Sequence, residues 1–340
     1  MRSFRPIEII GGGLAGLALG TALRRHAVPV TLREAGFYPR HRVCGEFISG
    51  LSAGTISRLE LAPALADGVP HRDVAWFAGT GPPRIFSLPA PALGLSRYSL
   101  DGRLAEAFQS AGGRLETGQR IIRAPVRPGR ILATGRTLGR SRWLGLKIHV
   151  HGLALARGLE MHLGAGSYVG LAAVEGGRVN VCGLFRRRPL VGNKVSLLSA
   201  YLEAAGLREL AGRLRSATAD PASFCAVAGL RFDYRTVGRP GLRLGEAGGS
   251  IPPFTGNGMA MALQSAELAL EPLLAYARGE IGWGAATRAI ATRRSRLSRV
   301  RLNFASLLHP LLLGPSRHRW LAPLVGSGIL PFRLLYALTH

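Results

Sequence analysis

The sequence contains little cysteine, little lysine and few acidic residues. Its three cysteines, Cys44, Cys182 and Cys225, form no C-x-x-C pair, which argues against a zinc site and against a disulfide framework. Only two of the 44 basic residues are lysines, Lys147 and Lys194. A chain of 340 residues with 47% hydrophobic content buries a sufficient core without such cross-links. We therefore expect a cytoplasmic protein that folds without a metal.

The sequence also lacks a long apolar run. A membrane span needs roughly 18 uninterrupted apolar residues, and the segment Pro6–Ile10 is too short for the apolar part of a signal peptide. The C-terminal tail is richer in leucine but contains His309, Pro310 and Arg317. We predict peripheral contact between this tail and the inner face of an anionic membrane. The leucines concerned are Leu307, Leu308, Leu311, Leu312 and Leu313.

The formal net charge of +25 invites a nucleic-acid interpretation. The arginines are spread along the whole chain, however, and aromatic residues do not alternate with them as a base-stacking surface requires. An arginine bias of this kind is typical of a GC-rich genome. We therefore predict that nucleic acid is not a partner.

The first motif is a glycine-rich turn between a strand and a helix. The short run Pro6–Ile10 leads into Gly-Gly-Gly-Leu-Ala-Gly and then into an apolar stretch that ends with basic residues. The first glycine permits the turn, the central one lets a pyrophosphate approach the backbone, and the last allows close packing of helix on strand. The helix N-terminus then faces the phosphates. The predicted contacts are Gly11, Gly13, Leu14, Ala15 and Gly16.

An acidic residue follows at the spacing that this motif requires. The segment Val28–Leu32 is typical of a second strand and delivers Glu34, about 20 residues after the central glycine. A carboxylate at this place accepts the hydroxyls of an adenosine ribose. It favours FAD or NAD over NADP, and the motif alone does not separate the first two.

The segment Arg40–Ser49 carries a resemblance that does separate them. Its basic residue before a Cys-Gly pair and its later serine resemble the geranylgeranyl reductase group of flavoproteins, relatives of aromatic hydroxylases of the para-hydroxybenzoate hydroxylase type. The resemblance implies FAD as cofactor, with Arg42, Cys44 and Gly45 along the flavin and Cys44, the candidate catalytic residue, beside its ring. The alternative for Cys44 is a small buried side chain, as most free cysteines are.

The segments Gly241–Gly249 and Pro252–Met259 resemble the second flavin motif of the same group. That motif has Gly-Asp followed by a Pro-x-x-Gly-x-Gly loop that enters a helix, and here Gly-Glu replaces Gly-Asp. The glutamate keeps the carboxylate for a ribityl hydroxyl, and the helix N-terminus stabilises negative charge on a reduced ring. The resemblance implies contacts from Gly245, Glu246, Pro253, Gly256, Asn257, Gly258 and Met259.

Segments between the two motifs are less specific. Arg97 belongs to an R-x-x-L-D-x-x-L pattern that resembles the family segment bordering the cofactor, which makes it a candidate flavin contact. The segments 143–150, 168–174 and 178–184 are typical of antiparallel strands that roof a substrate pocket. Their apolar residues favour an apolar substrate. His149 and His151 are within reach of such a substrate, although histidine on a strand is more often structural.

Two expected motifs are missing. Aromatic hydroxylases of this type have an Asp-Gly pair where this sequence has Thr134-Gly135, which argues against direct reduction by NAD(P)H. The rival hypothesis is that Arg136, Arg140 and Arg142 hold the phosphates of NAD(P)H transiently. No Trp-x-Trp-x-Ile-Pro segment occurs, which argues against a halogenase.

These observations predict an α/β protein: an FAD-binding Rossmann-like domain (1–75, 97–150 and 236–275), an interleaved and mostly antiparallel β substrate domain (76–96 and 151–235), and a C-terminal helical tail (276–340). We expect an FAD-dependent monooxygenase, oxidase or double-bond reductase, served by a separate reductase where NAD(P)H does not act directly. A redox-neutral FAD-dependent cyclase or isomerase stays open. So does a basic membrane-associated adaptor with a degenerate nucleotide fold, although the intact glycines and acids count against it.

Overall fold

The computed structural model describes residues 4–78, 81–232, 240–249, 252–313 and 332–339. The predicted domain boundary at 235/236 lies outside these residues, as do most of the predicted tail beyond residue 313 and the side chains of Leu308 and Leu311–Leu313. The strands are β1 Ile7–Ile10, β2 Val30–Arg33, β3 Phe47–Ile48, β4 Val69–Ala78, β5 Arg84–Gly94, β6 Arg114–Glu116, β7 Arg130–Leu132, β8 Trp143–His151, β9 Leu159–Gly164, β10 Ser167–Val174, β11 Arg178–Arg186, β12 Thr218–Ala228 and β13 Leu242–Arg243. The helices are α1 Leu14–Arg25, α2 Ala53–Arg58, α3 Ala62–Leu65, α4 Arg97–Ser110, α5 Lys194–Ala204, α6 Arg208–Arg215, α7 Gly258–Ala277, α8 Trp283–Leu313 and α9 Phe332–Thr339.

The smaller sheet contains five strands in the order β13-β7-β1-β2-β6. Every pairing in it is parallel, as expected when helices connect successive strands. Helices α1, α4 and α7 bury their apolar faces against it, and Leu17, Leu104 and Leu263 belong to this core. The order places β1 in the centre, so the turn that follows β1 opens at the carboxyl edge of the sheet, where cofactors bind in such folds.

The larger sheet contains eight strands in the order β12-β8-β11-β10-β9-β4-β5-β3. Its pairings are antiparallel except for β4 with β9. Side chains alternate between its faces, and one face of β8, β10 and β11 packs under α5 and α6 through residues such as Ile148, Val181 and Leu202. The opposite face is turned toward the smaller sheet, because Asn180 of β11 bonds the loop that follows β2.

The two-sheet architecture with C-terminal helices confirms the predicted fold class. The sheets divide differently from the predicted segments, however. Residues 143–150 were assigned to the FAD-binding segment, yet β8 lies between β11 and β12 in the larger sheet. Strand β4 likewise begins at Val69, within the predicted segment 1–75. The physical reason is that β8 alternates polar and apolar residues like its antiparallel neighbours, whereas strands of the parallel sheet are buried on both faces.

Helices follow the last motif, as predicted. Helix α7 packs against α1, α8 packs along α7, and α9 contacts both α8 and β5. Among the described residues, no helix combines the length and the apolar character that crossing a membrane would require.

Candidate functional site

The glycines of the first motif differ in what surrounds them. A Cβ on Gly11 would stand 2.3 Å from the carbonyl oxygen of Ala133, and one on Gly16 would stand 2.1 Å from that of Gly11. A Cβ on Gly13 would meet no atom within 4 Å. Gly11 and Gly16 are therefore required by packing, whereas Gly13 leaves open space at the N-terminus of α1. Helix α1 has no side-chain cap among the described residues, so its first amides remain suited to an anion.

Glu34 lies at the end of β2 beside this turn, and its carboxylate is already hydrogen-bonded. Its Oε2 accepts from the amide of Gly12 at 2.6 Å and its Oε1 from that of Gly36 at 3.0 Å. Arg40 forms an ion pair with the same carboxylate. A carboxylate oxygen accepts more than one hydrogen bond, so Oε2 has capacity for a ribose hydroxyl. The predicted role of Glu34 stays a prediction.

Arg42 and Arg97 converge on one buried carboxylate rather than standing apart. Asp101 on α4 has no exposed surface. Its Oδ2 accepts from Arg42 Nε at 2.8 Å, and Arg97 donates to both of its oxygens, from Nε at 2.7 Å and from Nη2 at 2.9 Å. The Nη2 atom of Arg42 is buried and has no partner among the described residues. Both arginines are therefore held by Asp101, and the predicted contacts of Arg42 and Arg97 with the flavin stay predictions.

Cys44 is packed behind this pair. Its sulfur accepts a hydrogen bond from the amide of Glu46 at 3.5 Å, and its carbonyl accepts from Asn180 at 3.0 Å. Burial raises the pKa of the Cys44 thiol, so the group is a neutral thiol at physiological pH and not a thiolate nucleophile. The residue is partly buried, and both its catalytic role and the alternative of a small packing side chain stay predictions. A Cβ on the neighbouring Gly45 would stand 3.2 Å from the ring of Phe47.

The second motif forms the predicted loop into a helix. Gly256 has φ +70°, where glycine is favoured, and the Phe47 ring fills the place of its missing Cβ at 2.3 Å. Pro253 begins a short 3-10 turn, and Gly258 begins α7. Met259, the next residue, is buried. A Cβ on Gly258 would meet no atom within 4 Å. The loop thus lies against the Cys44–Phe47 segment, although 212 residues separate Cys44 from Gly256.

Two polar residues of this motif bind other parts of the chain. Glu246 lies in a 3-10 turn beside Gly245 and forms an ion pair with Arg136. Asn257 is fully buried, and its Nδ2 donates to the carbonyl of Thr339 at 2.6 Å while its Oδ1 has no partner among the described residues. The C-terminal helix α9 therefore rests on the loop. Contacts from Glu246 and Asn257 to a ribityl chain or flavin ring stay predictions.

A cluster of buried ionisable groups lies on the other side of the Cys44–Phe47 segment. Glu46, Lys147 and His149 have no exposed surface. The carboxylate of Glu46 lies 2.5 Å from His149 Nε2 and 3.3 Å from Lys147 Nζ, and Lys147 Nζ lies 3.2 Å from His41 Nδ1. Whether His149 has a structural or a substrate-facing role stays a prediction. Its partner Glu46 was not singled out from the sequence, although it directly follows the Cys-Gly pair.

An apolar surface adjoins this cluster on the same face of the larger sheet. Tyr168 packs edge-on against Phe254 of the second-motif loop, with ring centroids 6.4 Å apart, and Trp76 packs against Phe86 at 5.8 Å. The valines of β11 that suggested an apolar roof lie on the opposite face, under α5 and α6. Strand alternation explains this difference, since Asn180 and Cys182 then face the loop. The face toward the loop is polar at one end and apolar at the other.

No protein-family model matches the sequence. Menaquinone reductase of Mycobacterium tuberculosis is 25% identical over 124 residues, which cover 34% of this chain and 29% of that protein. The match therefore spans less than a third of the length of the curated relative.

Solved structures match almost the whole chain. PqsL of P. aeruginosa in complex with 2-aminobenzoylacetate superimposes with a TM-score of 0.73 at 14% identity, covering 95% of this chain and 99% of PqsL. A geranylgeranyl bacteriochlorophyll reductase-like protein from Thermoplasma acidophilum has a TM-score of 0.72 at 15% identity and coverages of 95% and 91%. Klebsiella pneumoniae HpxO complexed with FAD and uric acid has a TM-score of 0.72 at 18% identity and coverages of 98% and 97%. The chain therefore has the two-sheet fold of these proteins, which include the geranylgeranyl reductase-like type that its motifs resemble.

Proposed function

We propose that this protein is an FAD-dependent oxidoreductase that acts on an apolar small molecule. The observation that carries the proposal is the contrast among the glycines of the first motif. Backbone atoms leave no room for a Cβ on Gly11 or Gly16. Gly13 directly precedes α1, and the space beside it at the helix N-terminus is open. A turn in which glycines served only packing would not need a glycine at position 13.

The residues at the site fit FAD from end to end. The amides at the start of α1 would hold the pyrophosphate, with Glu34 toward the adenosine ribose and Arg42 along the flavin. Gly258 and the N-terminus of α7 would lie along the ring, where helix amides stabilise negative charge. When bound, FAD supplies a site that accepts or donates a hydride or single electrons. The chain itself supplies binding, orientation and exclusion of water.

The apolar end of the larger sheet supports an apolar substrate. Trp76, Met161, Tyr168 and Phe254 pack together on the face turned toward the second-motif loop, beside the place proposed for the flavin ring. Apolar side chains at this place favour a prenyl, polyketide or aromatic compound as substrate. The basic tail and α8 are consistent with docking on an anionic membrane, where such compounds dissolve, and this contact is part of the proposal.

The proposed electron donor is a separate reductase rather than NAD(P)H. Thr134 follows β7 at the place where an aspartate is expected, and Arg136 is paired with Glu246, so it is not available to a nucleotide phosphate. Arg142 lies over the ring of Trp143 at 5.7 Å. Of the three arginines that a transient NAD(P)H site would use, two are therefore engaged within the protein.

The decisive experiment is purification of the protein and measurement of its absorbance spectrum. We expect a yellow protein whose FAD is non-covalent and is released by denaturation, at one FAD per chain. A colourless protein that also fails to bind added FAD, measured by isothermal titration calorimetry, contradicts the proposal. It would favour the adaptor with a degenerate nucleotide fold.

A second experiment tests the electron donor and the reaction class. The FAD-loaded protein is mixed anaerobically with NADH or NADPH, with and without a phenolic or prenyl compound, and the flavin band is followed by stopped flow. We expect slow bleaching or none. Bleaching at roughly 1 to 1000 per second, the range of typical turnover, would instead indicate a self-sufficient monooxygenase or reductase. Product formation with pre-reduced FAD and no net flavin oxidation would favour the redox-neutral cyclase.

A further inference from the structure

The buried cluster beside the Cys44–Phe47 segment consists of Glu46, Lys147, His149 and the half-buried His41. Packing alone does not require ionisable side chains at these places. Lys147 and His149 lie two residues apart on β8 and share one face of the larger sheet. Asn180 of β11 is the cross-strand partner of His149 on that face. Buried ionisable groups of this density cluster at functional sites.

Holding Glu46 in this place is energetically unfavourable in two respects. Its φ is +57°, in the left-handed region that non-glycine residues rarely adopt. Its carboxylate is also removed from water, and that loss is offset only by specific partners. The partners are the amide of Arg97 at 3.1 Å, the ammonium of Lys147 and the ring of His149. The fold therefore stabilises one carboxylate in a strained, dry position against three donors.

The contacts of the cluster form a continuous path. At the inner end, His149 Nδ1 is buried without a partner among the described residues, while Nε2 bonds Glu46. Glu46 then contacts Lys147, and Lys147 contacts His41 Nδ1. At the outer end, the ring of His41 is half-buried and stacks at 4.6 Å on Tyr98, which is 38% exposed. One end thus lies at the surface and the other at an unsatisfied ring nitrogen.

We infer that Glu46, Lys147 and His41 form a proton relay that connects His149 with solvent. In the outward direction, Lys147 gives a proton to His41 Nδ1 while His41 Nε2 releases one to water. The resulting amine takes a proton from the Glu46 carboxyl, which has received the Nε2 proton of His149. His149 Nδ1 then holds the proton taken from a group bound beside the Cys44–Phe47 segment. The net result is one proton carried outward, Glu46 and Lys147 return to their starting states, both histidines end in the other neutral tautomer, and no electron moves.

A metal ion is the competing interpretation of the same residues. Ligand atoms of His41, Glu46 and His149 lie within 4.8 Å of one another, a spacing that a cation tolerates. The ammonium of Lys147 already lies within 3.3 Å of both Glu46 and His41, so it supplies the positive charge that a metal would bring. Burial, together with the nearby charges of Lys147 and His149, lowers the pKa of His41 to about 4, which keeps Nδ1 of His41 an acceptor at neutral pH.

The groups that face the cluster come from several elements. Arg97 lies on α4 and Asp220 on β12, and the thiols of Cys182 and Cys225 flank Lys147 on the neighbouring strands. Burial raises the pKa of both thiols, so they stay neutral.

The test is the exchange of the His149 Nε2 proton with water, measured by saturation transfer on its downfield NMR resonance. That resonance is assigned by its loss in His149→Gln. We expect at least tenfold slower exchange in His41→Phe, which keeps a ring on Tyr98 but cuts the path, and in Lys147→Met. A static cluster loosened by either substitution would show faster exchange, and this outcome or an unchanged rate overturns the relay. Binding of added Zn²⁺ at one per chain also overturns it.

Two controls are present in the chain itself. Lys194→Met removes the other lysine, whose Nζ bonds the carbonyl of Pro221 at an exposed place, and should leave the exchange unchanged. His162 forms a second buried histidine–glutamate pair, with Nε2 2.8 Å from Glu160, and no described group links it to His41. Its proton should exchange equally in all variants.

The connection of the relay to the cofactor rests on the proposed function and is tested separately. Reoxidation of anionic two-electron-reduced flavin by oxygen consumes one proton and yields hydrogen peroxide. In photoreduced, FAD-loaded protein, a pH-indicator dye should show proton uptake slowed about tenfold in His41→Phe but not in Lys194→Met. Equal uptake in both variants would contradict this connection. The NMR measurement needs no FAD and stands whether or not FAD binds.

Discussion

The turn after β1 and the cluster on β8 are two buried sites built in opposite ways. The turn is made from residues close in sequence, with glycines removing side chains and backbone amides providing the polar groups. The cluster is made from residues 41 to 149, with charged side chains placed in the protein interior. The turn should be destabilised by substitutions that add side-chain atoms. The cluster should be destabilised by substitutions that remove one member of an ion pair. Substitutions should therefore damage the two sites through different mechanisms.

The largest effect is expected in the cluster. Glu46→Leu leaves Lys147 buried without its carboxylate, which should lower the free energy of unfolding by about 3 to 5 kcal/mol. Chemical denaturation measures the change. The double variant with Lys147→Met should recover part of the loss, because the two substitutions are coupled. The exposed pair of Glu203 and Arg215 provides the control, since Glu203→Leu should cost less than about 1 kcal/mol. Similar losses in both would show that Glu46 is not held by charge.

In the turn, Gly16 and Gly13 should respond differently to alanine. The Cβ of Gly16→Ala would stand 2.1 Å from a backbone oxygen, so we expect a loss of about 3 kcal/mol in apoprotein stability. Gly13 has φ −86° and open space, so Gly13→Ala should leave apoprotein stability within about 0.5 kcal/mol. It should nevertheless weaken FAD binding at least tenfold, measured by fluorescence quenching. Unimpaired FAD binding by Gly13→Ala would place the pyrophosphate elsewhere.

Glu34 tests the acidic end of the same site. Glu34→Ala removes the carboxylate predicted to accept the ribose hydroxyls and should cost about 1.5 to 3 kcal/mol of FAD affinity. Because Glu34 also accepts from Gly12, Gly36 and Arg40, Glu34→Gln is the informative partner variant. It keeps the size of the side chain and one acceptor oxygen, and should retain part of the affinity. An unchanged dissociation constant in both variants would show that the acidic residue has been misassigned.

The smallest effect concerns His41 and pH. The pKa of His41 is lowered to about 4 by burial and by the neighbouring Lys147 and His149, whereas an unfolded histidine titrates near 6.5. Between these values the unfolded state binds more protons, so the folded state loses stability as pH falls from about 6.5 to 4. His41→Phe should remove about 1 kcal/mol of this pH dependence, after allowance for the partial exposure of the ring. Chemical denaturation of both proteins between about pH 4 and 6.5 measures the difference, and equal pH dependence in both would contradict it.

Prediction from the sequence succeeded where a structural rule is local. The strand, turn and helix at Ile7–Arg25 and the loop into α7 follow from glycine spacing and apolar periodicity. Prediction was weaker where contacts are distant along the chain. Arg42 reaches Asp101 from 59 residues away and joins the local pair of Arg97 with Asp101, and no sequence pattern indicated this convergence. The segment 143–150, predicted to be an antiparallel strand, is β8 of the larger sheet, although the predicted FAD-binding segment 97–150 also included it.

The sequence by itself determined the glycine-rich turn after β1, the acidic residue after β2, the second glycine loop and the two-sheet fold class. These depend on backbone conformations that only certain residues permit and on periodicities of 2 and 3.6 residues. Only the tertiary structure decided that Glu46, His149, Lys147 and His41 meet, and that the valines of β11 face away from the loop. Register between strands settles both points, because a shift of one residue would turn every side chain to the opposite face.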